Sequence, residues 1–148
     1  MEMNSSDRNL EDSQLQSLLE DAIDFAIYRI TLDPEAPYGA RVAMVSPSIK
    51  DIVGIEEPWR FETWFEHLHP DDLERVTQAN QRSLQENLKY DEAARFFHVS
   101  KGEWVWIRTL STPVFGPDGN PTHFTGLVLD ISQQKQIAAE VEYHHALE

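Results

Sequence analysis

The sequence predicts an α+β fold: a five-stranded antiparallel sheet with helices on one face, a helix before it and a connector helix after it. Three observations carry that expectation. Runs rich in β-branched and aromatic residues gather at both ends of the chain, Phe25–Leu32 early and Ala93–Ile131 late. Segments with helix-start signals lie together between them. Lys101-Gly102 and Asp118-Gly119 punctuate the last third as tight turns, which makes its strands consecutive and antiparallel.

Residues 1–12 are polar and charged with no apolar period, the pattern of a disordered leader. Ser13 and Gln16 then form a capping-box pattern ahead of Leu15, Leu18, Leu19, Ala22, Ile23 and Ala26, whose spacing predicts an amphipathic helix over 13–24. That helix could pack on its own sheet or on a second copy. Ile27, Tyr28, Ile30 and Thr31 favour a strand, interrupted by Asp33-Pro34 and Pro37-Tyr38-Gly39 and resumed over Arg41–Val45. Ser46 is expected to cap a compact helix, with Pro47 in its first turn and Gly54 as its stop.

The stretch 55–68 is aromatic and acidic and predicts short helical turns over the sheet. His69-Pro70-Asp71-Asp72 opens the longest helix, ending about Glu86. Proline suits its first turn, and the two aspartates, as surface acids, complement the positive end of its dipole. Leu73, Val76, Ala79, Ser83 and Leu84 form its inner side, with Glu74, Arg75, Gln78, Gln81 and Arg82 facing water. Strands follow over Ala93–Ser100, Glu103–Phe115 and His123–Ile131, and a connector helix occupies 133–148.

A chain of 148 residues suits one domain with a real core. Its net charge of -14 repels phosphate backbones and anionic headgroups, which argues against nucleic-acid or membrane-surface partners. The absence of cysteine excludes disulfides, thiolate zinc sites and cysteine nucleophiles, and fits a cytoplasmic protein. No apolar run approaches the roughly 18 residues of a membrane span. Without a Gly-rich phosphate loop, a nucleophile elbow or paired carboxylates in a recognisable frame, the segment is not expected to be an enzyme.

Ser46-Pro47-Ser48 followed by Ile52-Val53-Gly54, then Trp64 with Leu68-His69-Pro70-Asp71-Asp72, then Gly102 to Trp106, Pro113-Val114, Asp118-Gly119 and Asp130-Ile131-Ser132 occur in an order that resembles the PAS domain. The likeness is to the subgroup found beside diguanylate cyclases and sensor histidine kinases. It spans Leu15 to Ile137, with the domain placed at 13–132. Lys101 departs from the aspartate usual before the hairpin glycine, and Ala94-Arg95-Phe96 stand where a Glu-x-Arg pattern is common.

The resemblance implies a sensory domain of a larger signalling protein, responding to a small ligand or partner and relaying to a downstream cyclase or kinase module in cis. It also implies a homodimer held through the N-terminal and connector helices. The alternative is a ligand-free PAS-fold module that only holds two chains together. Alternation and family position suggest Ile30, Met44, Ile49, Ile52, Phe65, Leu68, Val76, Phe97, Trp106, Leu127 and Leu129 as pocket lining, for an apolar or neutral ligand; the same residues could equally fill a dry core. Asp130, Ile131 and Ser132 stand at the exit of the last strand as output residues. Asp130 or Ser132 could cap the connector helix, along which Ile137, Ala138 and Val141 continue a short apolar stripe.

Which cofactor, if any, is bound stays open. Covalent attachment of a flavin or chromophore through cysteine is excluded by chemistry, and the long helix has no histidine to serve as a haem ligand. His69 reads as a helix-boundary residue, and His98 and His123 lie on strands facing either way. His67 and His69 beside Asp71-Asp72, and His144-His145 near Glu140, have spacings that occur commonly without metal.

Overall fold

A computed structural model describes residues 24–147. The expected leader over 1–12, and the N-terminal helix up to Ile23, lie outside the described residues. The element order is β1 (Phe25–Leu32), a 3-10 turn (Pro37–Gly39), β2 (Ala40–Val45), α1 (Ile49–Val53), α2 (Thr63–Glu66), α3 (Pro70–Glu86), β3 (Tyr90–His98), β4 (Glu103–Phe115), β5 (Pro121–Asp130) and α4 (Ser132–Leu147). The sheet runs β2-β1-β5-β4-β3, with every neighbouring pair antiparallel. The five-stranded antiparallel expectation therefore stands. The hairpin β1–β2 and the three-stranded meander β3–β4–β5 are joined where β1 pairs with β5.

Period-two alternation assigns the faces. Ala26, Tyr28 and Ile30 point inward from β1, Val105 and Ile107 from β4, and Phe124 and Val128 from β5. They pack with Ile49, Ile52, Val53 and Ile55 into one core. Ile49 and Ile107 are each 1% exposed, and burying each contributes about 1.5–3 kcal/mol.

The start of α1 differs from expectation. Ser48, not Ser46, occupies the N-cap. Ser46 Oγ instead accepts from the Ile27 N–H at 2.6 Å and donates to the Ile27 carbonyl, while Ser48 Oγ donates to the Phe25 carbonyl at 2.9 Å. Both hydroxyls serve the backbone of β1, so they fasten the helix entrance to the sheet. Gly54 stops the helix at φ 80°, and a Cβ there would lie 2.8 Å from Nδ1 of the buried His98. We expect Gly54→Ala to lower stability by about 2 kcal/mol, from the left-handed backbone and the crowding together. Urea denaturation would measure it; an unchanged midpoint would refute the crowding.

In α3 the N-cap is His69, whose Nδ1 accepts from the Asp71 N–H at 3.1 Å. Leu73, expected on the inner side, is 45% exposed, whereas Val76 and Ser83 are buried. The segment before α3 lies along β3, the edge strand. Phe97 N–H donates to the His67 carbonyl and His69 N–H to the Arg95 carbonyl, both at 2.8 Å, with Leu68 bridged to Phe96. A sheet edge that would otherwise be unpaired is covered in this way. Strand β3 begins at Tyr90, three residues before the predicted start, because Tyr90 to Glu92 continue the ladder with Thr109 to Ser111.

Candidate functional site

Between the inner face of the sheet and the helices lies a cavity of about 80 Å³. Its floor is sheet: Tyr28, Ile30 and Leu32 of β1, Ala40 of β2, Tyr90 and Phe96 of β3, Thr109 and Ser111 of β4, Phe124 of β5. Its roof is Phe61, Trp64 and Phe65 around α2, with Val76, Asn80, Ser83 and Leu84 of α3. The aromatic roof is a single packed group. Trp64 meets Tyr28 edge-on at 5.2 Å between ring centres, Phe61 meets Phe65 edge-on at 5.2 Å, and Tyr38 stacks on Phe65 at 4.9 Å. Trp64 Nε1 donates to the Pro58 carbonyl at 2.9 Å, which fixes the indole.

Tyr28 lies across the strand glycine Gly126, and its hydroxyl donates to the Leu110 carbonyl at 3.2 Å. Burial pushes the Tyr28 phenol up to about 12, partly offset by the Ser111 hydroxyl beside it. Burial likewise raises the Tyr90 phenol, reinforced by the nearby Glu92 carboxylate. The enclosure therefore penalises negative charge.

Of the residues expected to line a pocket, Ile30, Phe65 and Val76 reach the cavity. Ile49 and Ile52 are buried in the main core, and Leu68 belongs to a second cluster with Val76 and Ala94. Met44, Phe97, Trp106, Leu127 and Leu129 do not line the cavity. Phe97, Trp106, Leu127 and Leu129 lie one position out of phase with the buried residues of their strands, on the opposite face, where Phe97 packs edge-on against Trp104. Met44, 45% exposed, is turned outward by a register shift in β2 that pairs it with Arg29 and leaves Val42 opposite Ile30. A one-residue slip in a strand carries a whole side-chain set to the other face. Phe96 and Phe124 escape the sequence reading for that reason, and Tyr90 because the predicted strand starts only at Ala93. Trp64 lies on α2, where strand alternation gives no signal.

Asp72 is a further correction. Expected as a surface acid at the start of the long helix, it is buried. Its carboxylate accepts from Arg95 Nη2 at 2.8 Å, Arg95 Nε at 3.0 Å and the Arg95 backbone N–H at 2.8 Å, with Arg75 alongside. The Arg95 side chain holds its carboxyl down to about 2, aided by the backbone N–H and Arg75 and opposed by burial. Arg75 in turn pairs with Glu92. Arg95, in the stretch that departs from the common Glu-x-Arg pattern, thus finds its acid on the helix. His69 acts as a cap, and His98 turns inward, with Nε2 2.9 Å from the Asp51 carbonyl. Among the described residues no group of three or more metal-capable side chains converges.

At the exit of β5, Asp130 Oδ1 accepts from the Ser132 N–H at 2.9 Å and Ser132 Oγ accepts from the Trp106 N–H at 3.0 Å, while Ile131 N–H donates to the Trp106 carbonyl at 3.0 Å. Trp106 is flanked by two cations: Arg95 Cζ stands 5.4 Å from its ring centre and Lys135 Nζ of α4 stands 4.5 Å away.

A model of the PAS fold family matches residues 42–128. Among curated proteins, sensor protein FixL of Bradyrhizobium diazoefficiens is 29% identical over 85 residues, which cover 57% of this chain and 17% of that protein. The chain thus corresponds to a small part of that relative's length. Among solved structures, a sensory box histidine kinase/response regulator from Burkholderia thailandensis superposes with a TM-score of 0.63 at 24% identity, over 90% of this chain and 95% of the other. The N-terminal domain of a diguanylate cyclase with a PAS/PAC sensor from Marinobacter aquaeolei gives 0.65 at 22% identity, over 75% and 98%. At these identities the structural likeness speaks for the fold. Among the described residues no helix is long and apolar enough to cross a membrane.

Proposed function

The chain belongs to the PAS fold family, and from that premise we propose that it is a cytoplasmic sensory domain that relays occupancy of its cavity to an effector module in cis, a diguanylate cyclase or histidine kinase. One observation carries this reading, a continuous set of contacts from the cavity roof to the exit helix. Helix α3 lines the cavity through Val76, Asn80, Ser83 and Leu84. At its first turn Asp72 grips Arg95, Arg95 lies over Trp106, and Trp106 is held by Ser132 and Lys135 at the start of α4. A ligand that favours one position of α3 would shift the preferred position of α4, because the two share these partners. Asp130, Ile131 and Ser132 serve as the output joint. Ile137 and Val141, 51% and 50% exposed on α4, support a homodimer through the connector helix, with the N-terminal segment as its companion.

Asp130→Ala in the full-length parent protein is expected to keep the fold, by circular dichroism, while effector activity no longer follows the signal. A normal response would remove Asp130 from the output path. Native against denatured mass of the purified chain separates sensing from scaffolding: extra mass lost on denaturation supports a ligand, whereas a bare dimer supports the dimerisation module.

A further inference from the structure

We propose that the cavity takes a compact, uncharged ligand with one flat ring and a single edge that both donates and accepts hydrogen bonds. This inference rests on the sensory reading and adds the chemical class. Size sets the first limit. One water needs about 10–15 Å³ of such space, so 80 Å³ takes on the order of six waters; bonded atoms pack closer than waters, which leaves room for a single ring with one small substituent. The walls set the second. Phe61, Trp64, Phe65, Phe96 and Phe124 offer faces and edges to a flat body.

Charge sets the third limit. Among the described residues no Asp, Glu, Lys, Arg or His lines the cavity, so a carboxylate or ammonium would find no countercharge there. The chain's net charge of -14 adds to the penalty on anions. The polar groups that do line the cavity are neutral and mostly uncommitted. Tyr28 spends its proton on the Leu110 carbonyl and has the Ser111 hydroxyl beside its oxygen, so toward a ligand it acts only as an acceptor through its remaining lone pair. Asn80, Tyr90 and Thr109 have no side-chain hydrogen-bond partner among the described residues, and each can donate or accept. Tyr90 stands directly across the ladder from Ser111, Thr109 lies two residues along β4, and the Tyr28 hydroxyl reaches Leu110 of β4, so these four gather on the β3–β4 side of the cavity. A ligand edge with both a donor and an acceptor matches them; a purely apolar ring leaves them unmet.

Benzamide, benzoate and toluene test the charge limit and the polar edge on one ring, by isothermal titration calorimetry with the full chain. Benzamide is expected to bind at least tenfold more tightly than benzoate and more tightly than toluene. Tyr90→Phe is expected to weaken benzamide about three- to tenfold, the loss of one hydrogen bond, without moving toluene. Should that variant fail to fold by circular dichroism, Thr109→Val makes the same comparison. Benzoate binding as tightly as benzamide overturns the uncharged class but leaves sensing intact. A benzamide affinity indifferent to the folded variant overturns the polar edge. Binding of none of the three overturns the class, and the sensory reading falls with it only if the native mass also shows no ligand.

Discussion

Gly126→Ala is expected to destroy the cooperative fold. Gly126 sits in β5 between Tyr28 of β1 and Ser111 of β4. A Cβ there would overlap the Leu110 carbonyl oxygen and stand 2.6 Å from both Cζ and the hydroxyl of Tyr28. None of these obstacles can step aside cheaply. The carbonyl belongs to the sheet backbone, and the ring is wedged edge-on against Trp64 while its hydroxyl is bound to that same carbonyl. Relief requires either parting β4 from β5 or expelling a buried tyrosine. Either costs more than about 4 kcal/mol, a large share of the 5–15 kcal/mol that stabilises a typical domain. Gly119→Ala is the control: its φ is positive, at 83°, but a Cβ there meets nothing within 4 Å, so the cost is about 1 kcal/mol. Urea denaturation followed by tryptophan fluorescence compares them. Equal midpoints for the two variants would mean that close approach at Gly126 is unimportant.

The same glycine explains why the cavity was only partly legible in the sequence. The elements themselves follow from local signals. Turn glycines Gly102 and Gly119 take the positive φ that their positions predict, Gly54 ends α1, and Pro70 opens α3. Which face of each strand turns inward does not follow, because both faces are apolar. In β5, Leu127, Val128 and Leu129 run without alternation, and in β4 Trp104 and Trp106 compete with Val105 and Ile107. Periodicity is silent in such runs. A lone glycine within a strand signals close approach of another group, so Gly126 marks the inner face and puts Phe124 and Val128, rather than Leu127 and Leu129, beside it. Asp72 hid for a different reason. Asp71-Asp72 at a helix start satisfies the dipole argument for both residues alike, and only the position of Arg95 on the neighbouring strand separates the exposed one from the buried one.

Asp72→Ala is therefore expected to lower stability by about 3 kcal/mol, since it strands the Arg95 guanidinium and the Arg95 backbone N–H together. Asp71→Ala, at an exposed carboxylate one residue away, should stay within about 0.5 kcal/mol. Acid titration gives an independent signature. In the fold the Asp72 carboxyl titrates near 2, held there chiefly by the Arg95 side chain, whereas in the unfolded chain it titrates near the ordinary value of about 3.9. A depressed value means that the unfolded chain takes up the proton first. The contribution of this carboxylate is thus complete above about pH 5 and is lost as pH falls toward 2, and it amounts to about 2–3 kcal/mol. Urea midpoints measured across that window should fall more steeply for the native sequence than for Asp72→Ala, with Asp71→Ala following the native curve. Parallel curves for all three proteins would remove the ion pair from the account of stability. They would also weaken the proposed relay, because Asp72 and Arg95 are the contact through which α3, the wall of the cavity, reaches Trp106 and the exit helix.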